Sequence, residues 1–328
     1  TEQWWEIDAA YRNYIQSASS LIQAIDGLED ARVVITGFYT RFLKAINRDL
    51  ADKIQSEPVL SSPQTGFWDR YVEASSGTAI IVCDALRYEL ARELVDNLDE
   101  LDAEVSLDNV SAALPSITEV GMAAHLPGQL GLGIAGNELE VTVDNEPMDI
   151  KDDRVSVLET EGFQVENLSD VPTAPASDFE SADLPPLVVY SGFIDKLGEN
   201  LDNDEQTLAK ATDHIQDVER VVRKLKTAGY QRFVITADHG FLYTERLPDE
   251  LKIKLSANPD VLKRRFAATK GLPVDDQSVI TFEPDDLREL DIDSHGVSLS
   301  FPRSVACFTA PGGNMRYFHG GISMQELV

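Results

Sequence analysis

Apolar residues recur at three- and four-residue intervals through the first 57 positions. The stretches WWEIDAAYRNYIQSASSLIQAI and ARVVITGFYTRFLKAINRDLADKIQ set polar residues between them, the stripe of amphipathic helices. LSSPQTG, residues 60–66, breaks that pattern, and WDRYVEA, residues 68–74, predicts one more short helix. From Gly77 the texture changes. TAIIVCDA is a continuous apolar run closed by an aspartate, and the amphipathic LRYELARELVDNLDE follows it. That order predicts a strand buried on both faces, a turn and a helix. AEVSLDNVSAAL, residues 103–114, predicts a second strand and a loop. PSITEVGMAAHLPG predicts a short helix entered through Pro115, with Ser116 or Thr118 near its N-terminus.

Residues 129–185 hold a strand-like LEVTVDNE, a helical DDRVSVLETEG and an acidic Ser/Pro/Ala stretch, SDVPTAPASDFESADLPP. These predict loops and small elements, part of them a lid. LVVYSGFID, residues 187–195, predicts an apolar strand ending in aspartate. A long helix follows from about Asn203 to Ala228, closed by Gly229. QRFVITADHGF, residues 231–241, predicts a third strand, ending in Asp-His-Gly. Strand, helix and strand in alternation predict an α/β fold with a doubly wound, mostly parallel sheet. Beyond Gly240 the pattern is mixed, with strand-like VITFEP, GVSLSF and SVACFTA, and the ending YFHGGISMQELV reads as that of a fragment of a longer protein. The division expected is an N-terminal helical appendage over residues 1–75 and an α/β domain over residues 76–328.

Charge changes this picture more than composition does. Asp and Glu number 57 against 28 Lys and Arg, a formal net charge of −29 spread along the whole chain. A surplus on nearly every surface segment points to adaptation to high salt and a halophilic source, because the Debye length is only about 3 Å at 1 M salt. At ordinary ionic strength such a surface repels nucleic acid, whose binding relies on Lys and Arg. In molar salt both the penalty and the benefit shrink. Cys83 and Cys307 sit in apolar runs, which predicts reduced, buried thiols and a cytoplasmic protein. No stretch approaches about 18 consecutive apolar residues, so no membrane span is expected. TEQWWEID has neither a basic nor an apolar leader region, so no signal peptide is expected either.

The candidate chemistry lies at the strand ends. Ligands of open α/β sheets bind outside the carboxyl ends of the strands. Asp84, Asp195 and Asp238 each close a predicted strand. Three carboxylates at one sheet edge repel one another unless cations sit among them. His239 follows Asp238 directly, and His319 stands beside Gly320 and Gly321, where backbone can approach closely. His125, His214 and His295 fall on helices or loops and read as surface or core residues.

Taken together, IIVCDALRYEL, LPSITEVGM, VVYSGFIDKLGE, VITADHGF and YFHGGISMQE resemble the PglZ domain, a branch of the alkaline phosphatase superfamily, over about residues 77–328. The resemblance implies an alkaline phosphatase-like sheet with two divalent metal ions at its C-terminal edge. One metal would be held by Asp84, Thr118, Asp238 and His239, and the other by Asp195, Glu199 and His319. Glu199 stands where many phosphatases of the superfamily carry histidine, so zinc is the first expectation while manganese and magnesium stay open at this oxygen-rich site. Glu199 can equally be an outer support of the ligands.

Thr118 is the implied nucleophile, its hydroxyl activated by metal coordination, with Ser116 as the competitor. Arg87, in the DALRYE segment, is a candidate substrate-binding clamp or a partner of Glu89 or Asp238. Arg316 and Asn314 precede His319 within reach of a substrate. Trp4 and Trp5 read as anchors of the helical appendage. The implied function is a metal-dependent phosphodiesterase or nuclease acting with other BREX-type defence proteins on nucleic acid or another phosphodiester. Phosphomonoester or cyclic-nucleotide hydrolysis, and a non-catalytic scaffold, are the alternatives.

Overall fold

The computed structural model describes residues 3–19, 28–57, 62–101, 103–148, 150–175, 179, 184–200, 206–244, 249–256, 258–310 and 316–328. Helices α1 (Trp4–Ser19), α2 (Leu28–Ser56) and α3 (Phe67–Tyr71) precede strand β1 (Thr78–Cys83) and helix α4 (Tyr88–Leu98). Helix α5 (Thr118–Ala124) leads to strands β2 (Leu130–Ala135), β3 (Glu138–Val143) and β4 (Glu146–Pro147) and helix α6 (Lys151–Thr160). Strands β5 (Gln164–Asn167) and β6 (Leu187–Ser191), helices α7 (Phe193–Glu199) and α8 (Thr207–Ala228) and strand β7 (Arg232–Ala237) follow. Short strands then run through β8 (Leu242–Tyr243), β9 (Lys252–Ile253), β10 (Val261–Leu262), β11 (Ala267–Lys270) and β12 (Val279–Phe282) to helix α9 (Pro284–Glu289). Strands β13 (Ile292–Asp293), β14 (Val297–Pro302), β15 (Cys307–Phe308) and β16 (Tyr317–Phe318) and helix α10 (Met324–Leu327) complete the described elements.

The sheet that positions the site is parallel, in the order β5-β6-β1-β7. Strand β1 lies inside it, with Ile81 opposite Val189 on β6 and Ile235 on β7. All six of its residues are buried, as a continuous apolar run requires. Side chains alternate between the faces of a strand, so β1 feeds two cores. Ile80 and Val82 pack with α3, α5, β2, β3, β12 and β14, whereas Ala79, Ile81 and Cys83 pack with α1, α4 and α8. Both cysteines are buried free thiols.

Two expectations need correction. Residues 103–110 join no ladder among the described residues; only Ser111 forms an isolated bridge, to Pro63. A strand needs a partner as well as an alternating pattern, and this segment has none in the described structure. Asp195 does not end a strand either. β6 stops at Ser191, and Asp195 is the third residue of α7, because Ile194 and Gly198 bury at the four-residue spacing of a helix. The long helix begins at Thr207, with residues 201–205 outside the described ones. The lid expectation falls in part on residues 176–178 and 180–183, which also lie outside them.

The first two helices are locked to the rest by buried charge. Arg12 of α1 reaches Glu89 at 3.0 Å and also pairs with Glu93. Asp8 pairs with Arg87 at 2.9 Å and accepts hydrogen bonds from Tyr39 (2.6 Å) and Gln325 (3.0 Å). Trp4 lies against the Tyr88 ring, and Arg92 lies over Trp5, so both tryptophans anchor α1 on α4. No described helix is long and apolar enough to cross a membrane.

Candidate metal centre

β1 and β7 run side by side in the same direction, so their carboxyl ends deliver Asp84 and Asp238 to one spot. Asp238 Oδ1 accepts hydrogen bonds from the backbone N–H groups of Ala85 (3.0 Å) and His239 (2.8 Å). Those bonds fix the carboxylate and leave its second oxygen free to point elsewhere. His239 Nδ1 lies 2.8 Å from the Gly240 carbonyl, which makes Nδ1 the donor and turns the Nε2 lone pair toward the carboxylates. Nε2 is 3.5 Å from Asp238 Oδ2, 3.8 Å from Asp84 Oδ1 and 3.2 Å from Thr118 Oγ1.

Asp84 Oδ1 and Asp238 Oδ2 are buried and accept no hydrogen bond among the described residues. Unpartnered buried oxygens are costly, and a divalent cation is the partner that satisfies two of them together with an imidazole nitrogen. The donor set therefore fits a metal ion.

A second group stands alongside. Asp195 Oδ1 and Glu199 Oε1 lie 3.8 and 3.5 Å from His319 Nε2. Asp84, Asp238 and His239 form one set with ligand atoms within 4.8 Å of one another, and Asp195, Glu199 and His319 form another. The His239 and His319 rings stack in parallel at 4.6 Å, so the sets are immediate neighbours. Both ligand sets implied by the sequence come together.

Burial and the neighbouring Asp238 and Asp195 charges push the Asp84 carboxyl up to about 11. Burial likewise raises Asp238. Burial works against a charged His319 ring, but the Glu199 hydrogen bond and the Asp195 charge outweigh it and hold the pKa at about 9. Without metal, a carboxyl with a raised folded-state pKa stabilises the fold below its ordinary value near 3.8 and loses that contribution as pH climbs toward 11. Metal binding replaces the proton, so stabilisation by added Mn²⁺ or Zn²⁺ is expected to grow from pH 5.5 to pH 8. Paired thermal melts with metal and with EDTA check this, and an equal gain at both pH values counts against the assignment.

Thr118 is the first residue of α5, with its hydroxyl on the His239 side of the cluster. Helix α5 reaches Asp238 closely because position 121 is glycine. A Cβ there would stand 2.3 Å from the Asp238 carbonyl oxygen and 2.8 Å from its carbonyl carbon. Gly121→Ala is thus expected to displace Asp238 and weaken divalent-metal binding at the Asp84, Asp238 and His239 set by about tenfold or more. Titration calorimetry with Mn²⁺ or Zn²⁺ beside a far-ultraviolet circular dichroism spectrum measures it.

Ser116 is fully buried and donates to the Gly321 carbonyl at 2.7 Å, so it ties two loops together and is not placed as a nucleophile. Arg87 departs from the substrate-clamp expectation and follows the alternative of pairing with Glu89, at 4.0 Å. Its guanidinium is buried, paired with Asp8 and stacked over Phe241, 5.1 Å from the ring centre, and so faces the helices behind the site. His125 is a core residue beside Gln64 and Thr236, and burial lowers it to about 3. His214 is buried against Phe193. His295 faces Asp293 at 3.4 Å in an exposed turn. Asn314 lies outside the described residues.

Two supports escaped the sequence reading. Tyr317 donates to Asp195 Oδ1 at 2.8 Å, and its ring lies where a Cβ on Gly198 would collide at 2.3 Å, so α7 is seated on it. Glu326 accepts from the backbone N–H groups of Gly321 and Ser323, both at 3.0 Å, and pairs with buried Arg265, fixing the loop after His319. The Ser-x-x-Glu spacing of Ser323 and Glu326 is a capping-box signal that was available in the sequence. Tyr317 carried none.

Residues 70–328 match the family model for the BREX system PglZ alkaline phosphatase-like domain. The chain belongs to the PglZ family. It is 27% identical over 349 aligned residues to the alkaline phosphatase-like protein PglZ of Bacillus cereus (strain H3081.97). It is 25% identical over 358 residues to the alkaline phosphatase-like protein BrxZ of Escherichia coli O9:H4 (strain HS). Each alignment takes in 99% of this PglZ chain but 40% of the relative, so the chain spans about two-fifths of their length. Among solved structures, murine ectonucleotide pyrophosphatase/phosphodiesterase 5, in an inactive threonine-to-alanine form with AMP, superposes with a TM-score of 0.53 at 11% identity. That match covers 77% of the PglZ chain and 86% of the other. The human enzyme gives 0.50 at 12%, covering 76% and 86%. These neighbours establish the alkaline phosphatase-like fold.

Proposed function

We propose that this PglZ chain hydrolyses phosphoesters, phosphodiesters above all, with Thr118 as nucleophile. The full protein would act in BREX-type antiviral defence beside other BREX proteins, with nucleic acid as the diester. The observation that carries this reading is the placement of the Thr118 hydroxyl, 3.2 Å from His239 Nε2 and beside two adjoining carboxylate–histidine sets. The AMP complex of the structural neighbour, inactive as a threonine-to-alanine form, supports the same reading.

Asp84, Asp238 and His239 would hold one divalent ion and Asp195, Glu199 and His319 the other. Bound there, the ions would supply Lewis-acid stabilisation of the attacking and leaving oxygens. The chain's own residues orient the reaction. The Gly240 carbonyl keeps His239 in one tautomer, Tyr317 aims Asp195, and α5 presents Thr118. Thr118 Oγ bonds to phosphorus as the ester oxygen departs and its own proton passes to solvent. Water then cleaves the phosphothreonine and restores the hydroxyl.

Rates with bis(p-nitrophenyl) phosphate and p-nitrophenyl phosphate, each with Zn²⁺ or Mn²⁺, test the reading. Faster diester cleavage supports it, and faster monoester cleavage replaces it with a phosphomonoesterase. No hydrolysis of either, with metal bound, leaves a scaffold.

A further inference from the structure

Thr118 and the Asp238–His239 pair reach the site on separate pieces of chain, so something must set the gap between them. Thr118 follows the loop of residues 111–117, and Asp238 follows strand β7. The side chain of Gln64 joins the two. It stands in the short 3₁₀ turn Gln64–Gly66 between α2 and α3, ahead of the residues 70–328 that match the family model. Its Nε2 donates to the Ala237 carbonyl at 2.8 Å and to the Asp238 carbonyl at 3.0 Å. Its Oε1 accepts from the Ala113 N–H at 3.0 Å. Nε2 also lies 3.2 Å from His125 Nε2. The backbone N–H of Gln64 donates to the Ser111 carbonyl at 2.9 Å, so the turn itself is pinned to the loop that leads to Thr118.

Bulk alone does not call for glutamine here. The residue is 2% exposed, and a buried amide is costly unless its donors and acceptor are served. Leucine or methionine would fill the space without that requirement. What the amide adds is reach in two directions. One atom holds two consecutive carbonyls at the close of β7, and the other holds an N–H two residues before Pro115. A buried polar network that is fully served rigidifies what it joins. The Asp238 carbonyl is also the group against which Gly121 of α5 packs. The Gln64 amide therefore bonds where the helix of Thr118 meets the strand of the metal ligands.

On the phosphoester reading of the site, we propose that Gln64 is a positioning residue, which holds the Thr118 loop and the Asp238–His239 ligands at a fixed separation. The segment before residue 70 is then a working part of the site and not a separate appendage.

The test uses three variants of the 328-residue chain. Gln64→Met keeps the bulk and removes the amide. Gln64→Asn keeps the amide but is one methylene shorter, so it cannot span both loops. Thr65→Ala is the control, because Thr65 stands in the same turn and donates to the Leu290 carbonyl at 2.9 Å and to neither loop. In titration calorimetry with Mn²⁺, both Gln64 variants are expected to bind at least about tenfold more weakly than the wild type, the scale for outer supports of metal ligands. At saturating Mn²⁺ their kcat on bis(p-nitrophenyl) phosphate should fall about tenfold or more with KM within about twofold, because a misplaced nucleophile is felt in turnover. Thr65→Ala should match the wild type in both measurements. Wild-type affinity and wild-type kcat in the two Gln64 variants overturn the proposal. So does an equal loss in Thr65→Ala, which would reduce the turn to a support of general stability. A wild-type chain that binds Mn²⁺ but cleaves no ester overturns the phosphoester reading, and the affinity comparison still decides on Gln64.

Discussion

Thr118→Ala is expected to lower phosphodiester turnover by at least about 10³-fold, the scale seen when a nucleophile is removed and only binding and electrostatics remain. The fold gives little reason for a collateral loss. Thr118 is half-buried at the start of α5, its side chain makes no helix-capping bond, and its hydroxyl meets His239 alone among the described hydrogen bonds. Alanine is a better helix former than threonine, so stability should stay within about 1 kcal/mol. Both carboxylate–histidine sets survive the change, so binding of Mn²⁺ or Zn²⁺, followed by calorimetry, should persist. Thr118→Ser keeps a hydroxyl and should keep measurable activity. The informative control is Ser116→Ala, which removes the bond to the Gly321 carbonyl and should cost about 1 kcal/mol while turnover survives. If Ser116→Ala silences the chain and Thr118→Ala does not, the nucleophile has been misassigned.

The legible part of this molecule is the part where one residue's role follows from its place on an element. Asp84 and Asp238 could be read because an apolar strand buried on both faces must end somewhere, and an acid at that end points toward the ligand edge. Position within the local geometry was harder. The pattern puts Asp195 at the end of a strand, yet it reaches the site from the first turn of α7. The same carboxylate can reach the cluster from either element.

Arg87 shows the opposite case. Three residues from Asp84 in sequence terms is not three residues toward the substrate. The turn carries the side chain to the far side of α4's start, where Asp8, more than seventy positions earlier, is waiting. No local pattern announces a partner on a distant helix. Residues 103–110 mislead for a related reason, because an alternating pattern records a demand for a strand partner without saying where that partner is. The N-terminal helices are the largest lesson of this kind. Their stripes predicted helices correctly, but only the structure shows that Asp8 and Asn47 hold Gln325 at the back of the Asp-His-Gly loop. A Cβ on Gly240 would meet the Gln325 carbonyl at 2.2 Å, so that loop rests directly on α10.

That same end of the chain carries the larger stability prediction. Arg265→Ala is expected to cost about 3–5 kcal/mol, the penalty for stranding one partner of a buried ion pair. Arg265 and Glu326 are both inaccessible, joined by bonds of 2.9 Å (Nε to Oε1) and 2.6 Å (Nη2 to Oε2), and the guanidinium also serves the Ala306 and Ser304 carbonyls. Burial works against the Glu326 carboxylate, but the Arg265 charge and hydrogen bonds outweigh it and hold its pKa below the ordinary range. A depressed folded-state pKa contributes stability above the unfolded value and loses it as pH falls through the folded one. Without Arg265, only the hydrogen bonds from Gly321 and Ser323 still oppose burial, so the Glu326 carboxyl moves upward. The penalty of Arg265→Ala in urea denaturation should therefore be larger at pH 7 than at pH 4. A double variant, Arg265→Met with Glu326→Gln, removes both charges and should be more stable than the single one at pH 7, because no ion is left buried alone. Its amide can still accept from one of the Gly321 and Ser323 N–H groups but not hold both as the carboxylate does. Metal affinity at the His319 set should then remain weakened after stability recovers, which separates the pair's service to the fold from its service to the loop.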